Sequence, residues 1–299
     1  MFRKILLTSM LFWSVYSSKS QDLWKVLDHP NTVYDVDIAQ EAPFLVLTAG
    51  KDSLGRIWDP NTDLVLPLEG HFTSVSSIDY HEATASILTG SYDHRAILWN
   101  LKGEPQVILE GHEEAVVNVW NTSDFLATIS RDHSVIIWSR TGEVKLSLKG
   151  HTGQVNALVY QSNSDTFYSG SDDGDLRSWG KANQVVASFD SGVRRLLIHG
   201  KSNRIVLGLK NGNLAMVQLD NGKVTLSEGH ESMITGLAFL DEDRFISCGT
   251  DGQIKQWTLD GQLQSTFEAH ENYVSGLAVS KGFLVSSGGD RKAKIWRIE

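Results

Sequence analysis

The chain has 299 residues, of which 41% are hydrophobic and 21% charged, with a formal net charge of −9. That length and composition suit a soluble globule able to bury a real core, in one large β domain or two smaller ones. The negative balance argues against general nucleic-acid binding, and the single cysteine, Cys248, excludes a disulfide-stapled fold or a cysteine zinc site.

The first residues read "MFRKILLTSMLFWSVYSSKS": Arg3 and Lys4, an apolar run from Ile5 to Tyr16, then small residues. This order predicts a secretory leader over residues 1–20, cut before Gln21, and hence a periplasmic or extracellular protein. The apolar run is well short of the roughly 20 residues a spanning helix needs, so no transmembrane helix is expected in the mature chain. A cytosolic tail on a cytoplasmic protein is the alternative.

From residue 21 to 299 one pattern repeats. An aspartate stands six residues before a tryptophan at Asp52–Trp58, Asp93–Trp99, Asp132–Trp138, Asp173–Trp179, Asp251–Trp257 and Asp290–Trp296. A degenerate copy places Asn211 and Val217 at the same offset, giving seven units of about forty residues. Each unit reads as four short strands. In the fourth, "QVNALVY", "TFYSGS", "LRSW" and "NQVVASF" are separated by clusters of Gly, Asn and Asp. Lys102-Gly103, Thr141-Gly142, Asn221-Gly222 and Asp260-Gly261 are turn pairs that tolerate positive φ. Seven such units predict an all-β propeller-like array. The segment "LWKVLDH" (23–29) matches the strands that precede the later units, as in "QVILEGH", and is expected to supply the outer strand of the last blade. Closure of the ring removes exposed strand edges.

Gly70-His71, Gly111-His112, Gly150-His151 and Gly229-His230 open units, and Trp58-Asp59 closes one. With these dipeptides the sequence resembles the WD-repeat (WD40) family, whose fold is a β-propeller. The resemblance implies a seven-bladed propeller carrying one hydrogen-bonded tetrad per blade: a His, a Ser or Thr four residues before the turn aspartate, that aspartate, and the Trp. On this sequence the implied sets are His29–Thr48–Asp52–Trp58, His71–Thr89–Asp93–Trp99 and His112–Thr128–Asp132–Trp138. They continue as His151–Ser169–Asp173–Trp179, His230–Ser247–Asp251–Trp257 and His270–Ser286–Asp290–Trp296. The fifth unit has Phe189, Leu207, Asn211 and Val217 at these places, so the set is lost together. A buried carboxylate and imidazole must satisfy each other or cost a few kcal/mol, which gives the sets a structural job. Six copies of a Ser/Thr–His–Asp hydrolase triad are not a credible alternative.

No phosphate loop, two-carboxylate site or cysteine nucleophile is recognisable, so neither an enzyme nor a cofactor is expected. His94 and His133 follow turn aspartates and read as solvated turn residues rather than metal ligands. "SDDGD" (171–175) lacks the glutamate of a calcium loop, and Asn121-Thr122-Ser123 is a glycosylation sequon. WD-repeat proteins bind partners on the face bearing the turn aspartates. The resemblance places Tyr34, Lys51, Tyr92, Arg131, Gln154, Asn156, Asp172, Arg194, Lys210, Met233 and Tyr273 there. Four cations and three tyrosines against one anion predict a protein partner with an acidic patch. The expected function is a monomeric, non-catalytic interaction scaffold. An intracellular adaptor and a propeller binding a small ligand in its channel are the competing classes.

Overall fold

A computed structural model describes residues 22–39, 44–180 and 182–298, so the expected leader lies outside the described residues. Among the described residues the chain forms seven four-stranded antiparallel sheets, and the one helical element is a short 3-10 turn, Glu82–Thr84. The first sheet comprises Val33–Ala39, Leu45–Gly50, Gly55–Asp59 and Leu64–Leu68, from the inner strand outward. Five more sheets repeat this order with consecutive strands.

The seventh sheet departs from it. Val274–Ser280, Phe283–Gly288 and Lys292–Arg297 are completed by the N-terminal strand Asp22–Asp28, which pairs antiparallel with Lys292–Arg297. Leu27 stands opposite Ala293 and Asp28 opposite Lys292. The chain therefore closes its own ring in the way "LWKVLDH" predicts.

Position within a blade explains the sequence pattern. The second strands Leu45–Gly50 and Ser86–Ser91 are buried at every residue, because both of their faces pack on neighbouring blades. Such strands read as continuous apolar runs rather than alternation. The outer strand Leu64–Leu68 is exposed except at Leu68. The core is correspondingly divided into seven hydrophobic clusters, one between each pair of adjacent blades. Leu47, Ile57 and Leu68 of the first blade meet Ile87, Ile97 and Trp99 of the second. The closing interface sets Leu27, Val285 and Ile295 of the seventh blade against Val33 and Val36 of the first.

Gly103 and Gly142 take left-handed turns (φ 76° and 91°), as the paired turn residues predict. Asn121 of the sequon is 3% exposed. Its amide donates to the Ser86 carbonyl (2.9 Å) and its oxygen accepts from Arg140 (2.9 Å), so the fold holds it away from a glycan.

Candidate functional site

The site begins with the frame beneath it. In the second blade Trp99 Nε1 donates to Thr89 Oγ1 (2.8 Å), Thr89 Oγ1 meets His71 Nε2 (2.8 Å), and His71 Nδ1 meets Asp93 Oδ2 (3.0 Å). The third, fourth, sixth and seventh blades repeat these links at 2.7–3.0 Å through His112, His151, His230 and His270. A neutral imidazole protonated on Nδ1 lets each group in the chain from Trp to Asp donate once. Burial pushes His151 and His270 below the usual imidazole range, against the pull of Asp173 and Asp290, which keeps them neutral. Burial would also raise the Asp93 and Asp132 carboxyls. Hydrogen bonds from His71 and His112, together with those from the Phe72 and Glu113 amides, Arg95 and Ser134, outweigh it and hold both below the usual carboxylate range.

The first blade corrects the expectation. Trp58 still donates to Thr48 (2.9 Å), but both ring nitrogens of His29 are buried without a hydrogen-bond partner. Arg56 has taken both Asp52 oxygens instead (3.1 and 2.5 Å). Burial, with Arg56 close by, pushes the His29 imidazole down to about 4. The fourth blade carries Arg177 at the matching place, yet there Asp175 draws the guanidinium off (3.0 Å). Leu54 stands in the first blade where that acid would be. An arginine four residues after the turn aspartate, with no acid between, was the legible signal. The fifth blade has no tetrad: Leu207 and Val217 are fully buried in one cluster with Phe189 packed on it.

The turn aspartates mark one end of the ring, where a cavity of about 370 Å³ opens on the axis. Every blade contributes to its lining. Of the residues placed there by resemblance, Tyr34, Tyr92, Arg131, Gln154, Asn156, Arg194, Met233 and Tyr273 line it. Lys51, Asp172 and Lys210 do not. Asp172 accepts from Asn156 Nδ2 (2.9 Å) and pairs with Arg194 (3.4 Å) and Lys210 (3.6 Å). Arg131 lies 4.7 Å over the Tyr92 ring, and Tyr92 is 6.1 Å from Tyr34. Among the described residues, Arg131 and Lys51 have no carboxylate partner. Tyr273 sits where a Cβ on Gly289 would come within 2.5 Å of its ring, so Gly289 is required for that packing. A larger groove of about 490 Å³ between the third and fourth blades has no comparable convergence of charged and aromatic groups.

Sequence reasoning missed the channel wall. Each inner strand carries a bulge, such as that between Val193 and Arg195, which breaks the alternation of side chains. Arg194 and Arg195 therefore both line the cavity. Deeper in, Asp35 accepts from Ser77 Oγ (2.8 Å), Asp37 from the Tyr80 amide (2.7 Å) and Asp79 from the Asn121 amide (2.5 Å). Each bond ties one blade to the next through an inner-strand edge. Two acids two residues apart in "VYDVDIA" were the available signal.

Asp37 and Asp79 also hydrogen-bond each other, so one of them holds a proton. Burial pushes the Asp37 carboxyl up to about 7, and burial with Asp37 beside it raises Asp79 well above the usual range. A raised carboxyl favours the fold at low pH. Its contribution is complete below the ordinary 3.8 and is lost as pH rises through about 7. Asp37→Asn keeps an acceptor for Tyr80 and gives Asp79 a donor. It should gain about 1 kcal/mol in urea unfolding at pH 8, channel water moderating the effect, and change little at pH 4. An equal effect at both pH values counts against the shared proton.

Comparison with known proteins follows the same geometry. The family described as "WD domain, G-beta repeat" matches residues 21–59, 62–100, 103–139, 142–180, 222–258 and 261–297. The unmatched stretch 181–221 holds the inner three strands of the blade without a tetrad. Striatin of Rattus norvegicus is 25% identical over 253 residues, covering 84% of this chain but only 25% of striatin. A guanine nucleotide-binding protein subunit beta-like protein of Encephalitozoon cuniculi is 22% identical, covering 87% of this chain and 76% of that protein. The crystal structure of the WD40 β-propeller domain of Doa1 superposes with a TM-score of 0.85 at 20% identity, over 94% of this chain and 97% of that one.

Proposed function

The chain belongs to the WD domain, G-beta repeat family, and from that premise we propose that it is a non-catalytic, monomeric scaffold that binds a protein across the channel mouth. One observation carries this reading: Tyr34, Tyr92, Tyr273, Arg131 and Arg194 converge on a single cavity. Tyrosine and arginine supply most interface hot spots, since each buries much area and keeps a polar handle. Arg131 is an uncommitted cation on a molecule of net charge −9, so the partner brings negative charge to the mouth. The tetrad histidines from the second, third, fourth, sixth and seventh blades are committed to holding the loops, and no histidine is among the residues lining the cavity. Export is part of the proposal and rests on the sequence of residues 1–20 alone; the mass of the native N-terminus tests it.

The docking face has its own test. Interactors captured from the source organism's extract by the native chain should be lost, by tenfold or more, with Arg131→Glu. Lys145→Glu reverses a charge in the outer strand Val144–Lys149 and should leave capture intact. Capture should also weaken with salt, because a cation at the mouth steers association. Loss with Lys145→Glu alone places the partner elsewhere.

A further inference from the structure

The loops around the mouth carry the opposite charge. The residue after each tetrad histidine lies over the middle of its blade, where the Glu113 and Glu231 amides donate to Asp132 (3.2 Å) and Asp251 (3.3 Å). Glu113, Glu114, Asp190, Glu231 and Glu271 are all exposed in these loops, and neither of the two positions after the histidine, or after Phe189, is basic in any blade. Lys210, on this face outside the cavity, is paired with Asp172, so apart from Lys51 and Arg291 the loops around the cationic and aromatic centre are acidic. A uniformly acidic patch would meet Arg131 only by crowding its outer charges against this rim. Like charges brought together at an interface cost several kcal/mol.

The centre also counts its charge. Arg194 is shared with Asn156 (2.8 Å) and Asp172 (3.4 Å), and its Nε is buried without a partner. Arg131, its Cζ 4.7 Å over the Tyr92 ring, is exposed, and a guanidinium without a carboxylate partner can take one in two parallel hydrogen bonds.

We infer that the mouth receives one aspartate or glutamate side chain of a partner segment whose flanking residues are basic. The inference rests on the docking face proposed above. The carboxylate sits on Arg131, between the tyrosines. The flanks lie across the rim on Glu113, Glu231 and Glu271. Three or four residues of extended chain span about 10–13 Å, so lysines or arginines at that separation from the central acid reach past the inner strands to the rim.

Short fluorescein-labelled peptides test this with the full-length chain by anisotropy. The first probe has a central Glu and Lys three and four residues to either side, in a Gly/Ser background. The others replace the central Glu by Gln, the central Glu by phosphoserine, or the flanking Lys by Glu. The Glu probe with Lys flanks should bind about tenfold tighter than its Gln analogue, or about 1.4 kcal/mol. Arg131→Ala should bring that ratio to about one. Glu231→Gln with Glu271→Gln should weaken every Lys-flanked probe and keep the Glu-over-Gln ratio. Tighter binding of the Glu-flanked probe, or of phosphoserine, overturns the inference. So does an unchanged ratio in Arg131→Ala. Failure of all probes to bind below roughly 1 mM overturns it too, while the docking face itself still stands or falls by the Arg131→Glu capture experiment.

Discussion

Deleting residues 1–28 should abolish the cooperative unfolding transition or drive the protein into aggregates, with deletion of residues 1–20 as the reference. The strand Asp22–Asp28 completes the seventh sheet, and without it Lys292–Arg297 becomes a bare edge. Bare edges recruit other chains. The same deletion removes Leu27, 4% exposed in the closing cluster, and Trp24, whose ring lies 5.3 Å from Phe283 and 5.9 Å from Phe44. Loss of a buried leucine alone costs about 2–5 kcal/mol, a large part of a typical folding free energy. Chemical denaturation with size-exclusion chromatography reads the result. Identical melting and identical elution of the two truncations would mean the ring does not depend on its clasp.

The second large effect is expected at Asp93. Its carboxylate accepts from His71 Nδ1 (3.0 Å), the Phe72 amide (2.9 Å), the Arg95 amide (3.1 Å) and Arg95 Nη2 (3.1 Å). Asp93→Ala strands several donors at once beneath the face and should cost about 2–4 kcal/mol in urea unfolding. Asn211 occupies the same place in the fifth blade, where among the described residues its side-chain oxygen accepts from the Asn213 amide alone (3.1 Å). Asn211→Ala should cost about 1 kcal/mol or less. The Asp93 carboxyl is held below its usual range, so its contribution is present above about pH 4 and is lost as pH falls further. The penalty of Asp93→Ala should therefore shrink in acid. Equal losses in the two variants would deny the tetrad its structural role.

Much of this molecule is local in origin and so could be read from the chain. Strand periodicity, glycine turns such as Lys102-Gly103, and an aspartate six residues before a tryptophan depend on backbone geometry within a few residues. Repeated in phase, they specify both the blade and the number of blades. The match of "LWKVLDH" to the other outer strands likewise pointed to the closure, because a ring must pair its last edge. The residues converging on the mouth were reached through the family resemblance and not through any local pattern.

Tertiary structure decided what depends on competition between neighbours. His29 has the right spacing for a tetrad, yet Arg56 reaches Asp52, because Leu54 offers that guanidinium no other anion. Asp172 counts as a free anion in the sequence, but in the fold it is already tied to Arg194 and Lys210, leaving Arg131 and Lys51 without a carboxylate partner among the described residues. Asn121 belongs to a sequon by pattern and is withheld from solvent by Ser86 and Arg140, a residue of its own blade's outer turn. The bulge of the fifth inner strand brings Arg195 to the cavity wall beside Arg194, and a bulge moves side chains without leaving a mark in hydrophobic periodicity. Which blade a residue belongs to is set by the order of residues along the chain. Which charge remains unpaired is set by distances between blades, and those exist only once the ring has closed.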